Sequence, residues 1–235
     1  MLRSPTMPAK LDGARAVVFD AYGTLLDVAS AAAAAKDVLQ DRWLPLSDLW
    51  RQKQLQYSWL RALMGKHADF WAVTGDALDF ALEALRIAEP GLRARLMDCY
   101  GRLGPYPDAE PALRRIRAAG LKTAILSNGS PRMLASAARS AQLDGLLDQV
   151  LSVEEVGVYK PHPSVYRLAC DRLSVWPAEI VFVSANGWDA WGAKAGGLRV
   201  AWCNRAGQPR ERLGEGPDAE IGSLADLPAV LGLAD

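Results

Sequence analysis

Neither sign of charge prevails in this 235-residue chain. Lysine and arginine number 27, as do aspartate and glutamate, so no overall field favours nucleic acid or an anionic membrane surface, and any anionic ligand has to be caught locally. Cysteine is scarce. The three present, Cys99, Cys170 and Cys203, are odd in number, scattered and unmatched by a histidine cluster, which argues against a disulfide framework or a zinc site and makes a reducing cytoplasm the expected compartment. The two histidines, His67 and His162, stand beside no nucleophile elbow; a serine-type triad is left without support, and plain surface roles are expected for both. The N-terminal MLRSPTMPAKLDGAR has no apolar core of signal-peptide length, and no uninterrupted apolar run is long enough to span a bilayer, so an unexported, soluble protein is expected, with Met7 as an alternative start. Internal repeats and low-complexity tails are also missing.

Apolar residues are plentiful, at 50%, enough to build a large core with an insertion beside it. Short apolar runs, ARAVVFD, LKTAILS, QVLSV, EIVFVSA and LRVAWC, alternate with helical stretches such as DAEPALRRIRAAG, SPRMLASAARSAQ and HPSVYRLACDRL. That alternation predicts an α/β fold, a Rossmann-like parallel sheet with helices on both faces, whose ligands bind at the carboxyl ends of the strands. The rhythm breaks between the first run and GRLGPYPD, where helical patterns rich in alanine, leucine and tryptophan replace strands. The expected division is a catalytic core over 1–25 and 101–235 and an inserted helical cap over 26–100. Within the cap, SAAAAAK is the best helix former in the chain.

The segment LPLSDLWRQKQLQYSWLRALM predicts one long cap helix. At 100° per residue, Leu46, Leu49, Trp50, Tyr57, Leu60 and Met64 share a stripe, while Arg51, Leu55, Trp59 and Ala62 fall opposite. Both faces are substantially apolar, so the helix is expected to be sandwiched between the other cap helices and the core. Arg51 is then drawn off the surface, although an arginine on a helix is more often simply solvated.

Asp20 ends the first strand, where a carboxylate can serve as a mere turn-former or N-cap. Further on, ILSNGSP sets Ser127 and Asn128 at a strand end, with Ser130 as N-cap and Pro131 at the first helical position; free N–H groups at that helix start suit an anion. VYKPHPSVY supplies Lys160 and, in the next helix, Tyr166; FVSANGWDAWG puts Ser184, Asn186 and Asp189 beyond a buried strand. Turn, cap and surface roles are available to each of these taken singly. Four such groups at one end of one sheet point to a catalytic site.

FDAYGTLLD matches the nucleophile motif of the haloacid dehalogenase superfamily, whose aspartate forms a covalent intermediate. Superfamily phosphatases carry a second aspartate two residues later and an acidic cluster in the last motif that binds Mg²⁺. Here those places hold Tyr22 and SANGWD, whose only acid is Asp189. A phosphate dianion facing Asp20 without a cation would be strongly repelled in a dry site, whereas a halide departs without a proton, so Tyr22 can line the pocket where a phosphatase needs an acid. In detail the chain resembles the (S)-2-haloacid dehalogenases nearly end to end, through FDAYGTLLDV, LWRQKQLQYSWLRALM, AILSNGSP, VYKPHPSVY and FVSANGWDA. It departs from them at Ala21, where a bulkier apolar residue is common, and at Ala185, often serine.

The resemblance implies that Asp20 attacks C2 of an (S)-2-haloacid with inversion, and that water then hydrolyses the aspartyl ester to release an (R)-2-hydroxyacid. It implies that Ser127 and backbone N–H groups near Ala21, Tyr22 and Asn128 hold the substrate carboxylate. Arg51 and Asn186 would take the halide, while Tyr22, Gln52, Leu55, Phe70 and Trp188 exclude water. Lys160 would pair with Asp20 and Asp189; Asp189, with Asn186 and Ser184, would handle the hydrolytic water; Thr24 and Tyr166 would be nearby hydroxyls. No cofactor, metal, nucleic acid or membrane is implied, and a homodimer is. Two other enzymatic readings stand beside this one, hydrolysis of a strained cyclic imino acid on the same scaffold and a Mg²⁺-dependent phosphatase. A third is an inactive binding module that keeps the cleft.

Overall fold

The computed structural model describes residues 11–233, so the alternative start at Met7 lies outside the described residues. At the centre is β1 (Ala16–Phe19), whose four side chains are all buried. A strand in the middle of a parallel sheet is covered on both faces, which is why AVVF reads as an unbroken apolar run instead of an alternation. On one side β1 pairs with β2 (Lys122–Ser127), which pairs with β3 (Gln149–Ser152); on the other it pairs with β4 (Ile180–Ser184), followed by β5 (Arg199–Cys203) and β6 (Ala219–Ile221). Every pairing is parallel, with Phe19 opposite both Ile125 and Val183.

The chain runs outward from β1 to β3 and then returns to the other side of β1 at β4. That reversal opens a crevice beyond the carboxyl ends of β1 and β4, the place where ligands bind in open parallel sheets. The sheet has one strand that the sequence pattern does not reveal. β6 is three residues long with its middle side chain exposed, too short to carry a period; Asp218 just before it fixes its entry, accepting from the Val200 N–H at 2.8 Å and from Lys194 Nζ at 2.7 Å.

Between residues 29 and 100 every regular element is helical: α1 (Ala29–Ala33), α2 (Lys36–Leu39), α3 (Trp43–Leu63), α4 (Phe70–Ala84) and α5 (Leu92–Tyr100). The sheet rhythm then resumes with α6 (Ala109–Ala118), α7 (Pro131–Ser140), α8 (Pro163–Leu173), α9 (Gly187–Ala195) and α10 (Leu227–Val230). The strongest helix-forming run does not become one helix. It breaks at Ala35 (φ −112°, ψ 22°), where Arg95 of α5 donates to the Ala34 carbonyl and pairs with Asp37. Propensity is a weak prior, and a tertiary contact overrides it here.

α3 also differs from its predicted face. Its buried set is Leu46, Ser47, Trp50, Gln54 and Ser58, while Leu60 and Met64 are 44% and 62% exposed. The seam against α4 runs through polar side chains whose hydrogen bonds are made internally: Gln54 Nε2 donates to Thr74 Oγ1 at 2.7 Å, and Trp50 Nε1 to the Thr74 carbonyl at 2.8 Å. A pattern that counts only apolar residues cannot place such a seam. Among the described residues no helix is long and apolar enough to cross a membrane.

Candidate active site

Asp20 leaves β1 at the crevice. Its N–H donates to the Val183 carbonyl at 2.9 Å, and the next turn folds back as the N–H groups of Leu25 and Leu26 bond the Ala21 carbonyl. Gly23 holds φ +93° in that turn, a conformation glycine adopts without steric cost. The turn brings Thr24 under the nucleophile candidate. Its hydroxyl donates to Asp20 Oδ2 at 3.1 Å and accepts from the Ala185 N–H at 2.8 Å. The second Asp20 oxygen, Oδ1, accepts from Lys160 Nζ at 3.1 Å, and the Asp20 side chain is only 8% exposed.

Lys160 comes from the loop before α8 and is fully buried. Its N–H donates to Asn128 Oδ1 at 3.0 Å, and its ammonium bridges Asp20 to Asp189 Oδ2, 2.8 Å away. Asp189, in the first turn of α9 and wholly buried, also accepts from the Tyr166 hydroxyl at 2.8 Å. Burial disfavours every charge in this row, and the signs follow from what compensates it. For Lys160 burial alone would lower the pKa, but Asp189 and then Asp20 more than offset it, and the ammonium is held above its ordinary range. For Asp189 burial is the largest influence and raises the pKa; Lys160 opposes it and Asp20 reinforces it, so this carboxylate is more basic than usual. Burial, and then Asp189, push Tyr166 well above the usual phenol range, and it stays protonated as a donor.

Arg51 reaches the same crevice from α3. Nη2 donates to Asn186 Oδ1 at 3.2 Å and to the Tyr22 carbonyl at 3.3 Å. Asn186 in turn donates from Nδ2 to Asp20 Oδ2 at 2.8 Å and to the Tyr22 carbonyl at 3.0 Å, with its own N–H held by Ser184 Oγ at 3.1 Å. One chain of hydrogen bonds thus runs from guanidinium to amide to carboxylate. Tyr22 is buried, stacks on Tyr100 at 5.5 Å and meets Phe70 at 6.1 Å. Burial first, then Tyr100 and Asp20, raise its pKa well above normal, so the ring is a neutral wall and not an acid.

Ser127, wholly buried at the end of β2, accepts the Gly129 N–H at 3.2 Å, and Asn128 is buried next to it. The N–H groups of Ala21, Tyr22 and Asn128 take no part in the turn hydrogen bonds around them. Trp188, at the start of α9, packs edge-on against Trp59 of α3 at 5.3 Å. Both line a mainly apolar cavity of about 450 Å³ that also touches Lys160, Tyr159 and His162. Leu55 lies one turn beyond Arg51, half-buried.

Gln52 is a predicted member that is not brought to the cluster. It is exposed on α3, a 100° rotation away from Arg51. The glutamine that does reach the site is Gln54, which the sequence pattern had left unmarked. Its Oε1 accepts from Arg51 Nη1 at 2.7 Å while Nε2 donates to Thr74 and, at 2.9 Å, to Tyr100 Oη. A polar residue three positions from a candidate arginine, on the same helix face, was the available signal. His67 also departs from its expected surface role. It is half-buried between α3 and α4, with Nε2 2.9 Å from Glu154 and its ring against Tyr159. His162 is exposed and caps α8.

A divalent cation does not fit these residues. Lys160 Nζ stands between the two carboxylates where a metal would sit, Tyr22 brings no charge, and among the described residues no group of three or more His, Cys, Asp or Glu side chains could hold a metal ion. The crevice thus holds a nearly buried carboxylate, Asp20, with Lys160 bonded to it directly and Arg51 linked to it through Asn186.

Comparison with known proteins yields a match to the family model described as haloacid dehalogenase-like hydrolase, over residues 14–197. The chain is 49% identical to (S)-2-haloacid dehalogenase 1 of Pseudomonas sp. (strain CBS-3) over 222 residues, 94% of this chain and 98% of that protein. Its fold superposes with TM-score 0.93 on the crystal structure of a dehalogenase with an intermediate complex, at 45% identity, covering 95% of this chain and 99% of that one. It superposes with TM-score 0.86 on L-2-haloacid dehalogenase from Xanthobacter autotrophicus with chloropropionic acid covalently bound, at 42% identity, covering 92% and 98% of the two chains.

Proposed function

The chain belongs to the haloacid dehalogenase-like hydrolases, and on that premise we propose that it converts (S)-2-haloacids to (R)-2-hydroxyacids and halide. The observation that carries this reading is the Asp20–Lys160–Asp189 row with Tyr22 in place of a second acid. The phosphatase reading is not favoured, because a phosphate dianion would meet Asp20 without a metal and without a general acid for its leaving group. Cyclic imino acid hydrolysis and a merely binding role are likewise not favoured by relatives that are haloacid dehalogenases over nearly their whole length.

In the first step an Asp20 oxygen forms a bond to C2 as the carbon–halogen bond breaks, from the opposite face, inverting the centre. The pair of electrons leaves with the halide, toward Arg51 and Asn186, and no proton is required. The substrate carboxylate is held meanwhile by Ser127 and the free N–H groups of Ala21, Tyr22 and Asn128. Phe70, Leu55, Trp188 and the Tyr22–Tyr100 wall keep water from solvating the nucleophile. In the second step water adds to the Asp20 side-chain carbon. Asp189, whose basicity burial has raised, takes a proton from the water and returns it to the departing alkoxide oxygen as the acyl C–O bond breaks, so the hydroxyacid leaves with an oxygen that began on Asp20 and Asp189 is restored as a carboxylate. Thr24, Lys160 and Ser184 orient these groups, and Tyr166 fixes Asp189. Residues 26–100 act as a cap over the core of 1–25 and 101–235.

Single turnover in ¹⁸O-water tests the sequence of bonds. The first product should carry ordinary oxygen while one ¹⁸O appears in the Asp20 carboxylate, read by mass spectrometry of the peptide; labelled product with unlabelled protein would mean direct attack by water. We place the enzyme in the cytoplasm as a homodimer. Support comes from its unpaired cysteines and from Leu60, Met64 and Phe80, exposed on α3 and α4.

A further inference from the structure

On the far side of the loop that ends β2 lies a cavity of about 360 Å³ between the start of α4 and the start of α7, lined by Asp69, Trp71, Ser130, Arg132 and Met133 among others. Three features of its inner wall share one polarity. Ser130 is the N-cap of α7, a 10-residue helix, and is only 4% exposed, yet its hydroxyl makes no capping bond. An N-cap serine ordinarily accepts the N–H of the second or third helical residue; here the hydroxyl and the N–H groups of Arg132 and Met133 are all left unpaired toward the cavity, Pro131 having no N–H to offer. Arg132, exposed at the start of α7, lines the outer part of the same space and pairs with no carboxylate among the described residues. A lone cation in the first turn of a helix is misplaced against the macrodipole unless an anion joins it there. Asp69 is the one carboxylate on the wall, and it is occupied in capping α4, accepting the Trp71 N–H at 2.7 Å.

We propose that this cavity is a second anion site, in which a small oxyanion is held by the Ser130 hydroxyl, the first N–H groups of α7 and the Arg132 guanidinium. It is separate from the Asp20 cleft. Gly129 stands between them with no room for a side chain, since a Cβ there would lie 2.8 Å from the Tyr22 ring. Asn128 bonds the Lys160 N–H on the cleft side and Ser130 lines the outer cavity, so one strand–loop–helix unit borders both. The shared ligand chemistry is a planar or tetrahedral oxyanion, from either a 2-hydroxyacid carboxylate or free inorganic phosphate.

Calorimetric titration of the full chain with sodium phosphate and, separately, with (R)-lactate tests the site. Arg132→Gln should weaken binding of the recognised anion about tenfold or more and Ser130→Ala by a smaller factor, with unchanged melting temperature and unchanged halide release at low anion concentration. Ser127→Ala, which alters only the cleft, should leave that binding in place. Binding of lactate alone would identify the enzyme's own carboxylates as the ligand, and of phosphate alone a free inorganic anion. Equal affinity in wild type, Arg132→Gln and Ser130→Ala would overturn the proposal, as would loss of all binding in Ser127→Ala or no binding of either anion to the wild type.

Discussion

A carboxylate attacks carbon only if it is ionised, aimed and poorly hydrated, and each condition at Asp20 is met by a different neighbour. In the proposed mechanism Lys160 gives it a cationic partner, Thr24 and Asn186 hold its other oxygen, and the aromatic wall of Tyr22, Phe70 and Tyr100 keeps water away. Asp189 has another task, so its loss should separate the two chemical steps. Asp189→Asn is expected to form the ester and stall; intact-protein mass spectrometry after mixing with (S)-2-chloropropionate should show the adduct, and its absence would take Asp189 out of the hydrolytic step. The pH dependence has the same origin. Burial raises the Asp189 pKa above the ordinary carboxylate value, and a base works only when deprotonated, so ester hydrolysis is complete above that raised pKa and is lost as pH falls through it. Lys160→Met leaves two buried carboxylates without their cation, which should cost about 3–5 kcal/mol in denaturant unfolding. The Lys160 pKa is raised on folding, so its contribution is fully present below the unfolded value and is lost as pH rises through the folded one. As Lys160 deprotonates, the difference between wild type and Lys160→Met should therefore shrink at strongly alkaline pH, and it should shrink again in acid as the two carboxylates protonate.

The element that matters most for shape is α3, because it carries Arg51 into a crevice made by strands far away in sequence. Its orientation is set by a polar lock more than by its apolar stripe. Gln54 ties α3 to Thr74 of α4 and Tyr100 of α5 and receives Arg51 in the same amide. Gln54→Leu keeps the volume and removes three partners at once, leaving Thr74 and Tyr100 hydroxyls buried. A loss of about 1–3 kcal/mol is expected, together with a rise in KM as Arg51 gains freedom; an unchanged KM would show that Arg51 is held by Asn186 and Tyr22 alone. His67 makes a second bridge of this kind, joining the α3–α4 turn to Glu154 after β3. Its ring lies on Tyr159, whose hydroxyl bonds the Ala68 carbonyl.

Across the whole molecule, positive and negative charges balance, and among the described residues α3, the turn after it and α4 leave apolar side chains exposed. Leu60, Met64 and Phe80 stand there at 44%, 62% and 39% exposed, on helices that also form one side of the cleft. In the proposed homodimer this face would meet its own copy across a twofold axis. Light scattering coupled to size exclusion should report a dimer for the wild type and a monomer for the Leu60→Asp, Met64→Asp double variant. A wild-type monomer would remove the dimer from this proposal, and a double variant that stays dimeric would move the interface elsewhere.

The sequence by itself determined the parts in which chemistry depends on local order. A buried strand ending in Asp20, a tight turn with Gly23 and Thr24, a Ser-Asn pair before Pro131, Lys160 within VYKPHPSVY and an aspartate at the start of α9 are all short-range statements. The alternation of apolar runs and amphipathic helices was enough to indicate a parallel sheet. What only the tertiary structure decided are matters of register between distant segments. Which glutamine of α3 faces inward, that SAAAAAK breaks at Ala35, that three residues before Gly222 pair with β5, and that His67 meets Glu154 all depend on partners tens of residues away. The physical reason is that a single chain's periodicity reports apolar burial, whereas these positions are fixed by satisfied polar groups, and a hydrogen bond leaves no trace in the sequence of either partner alone.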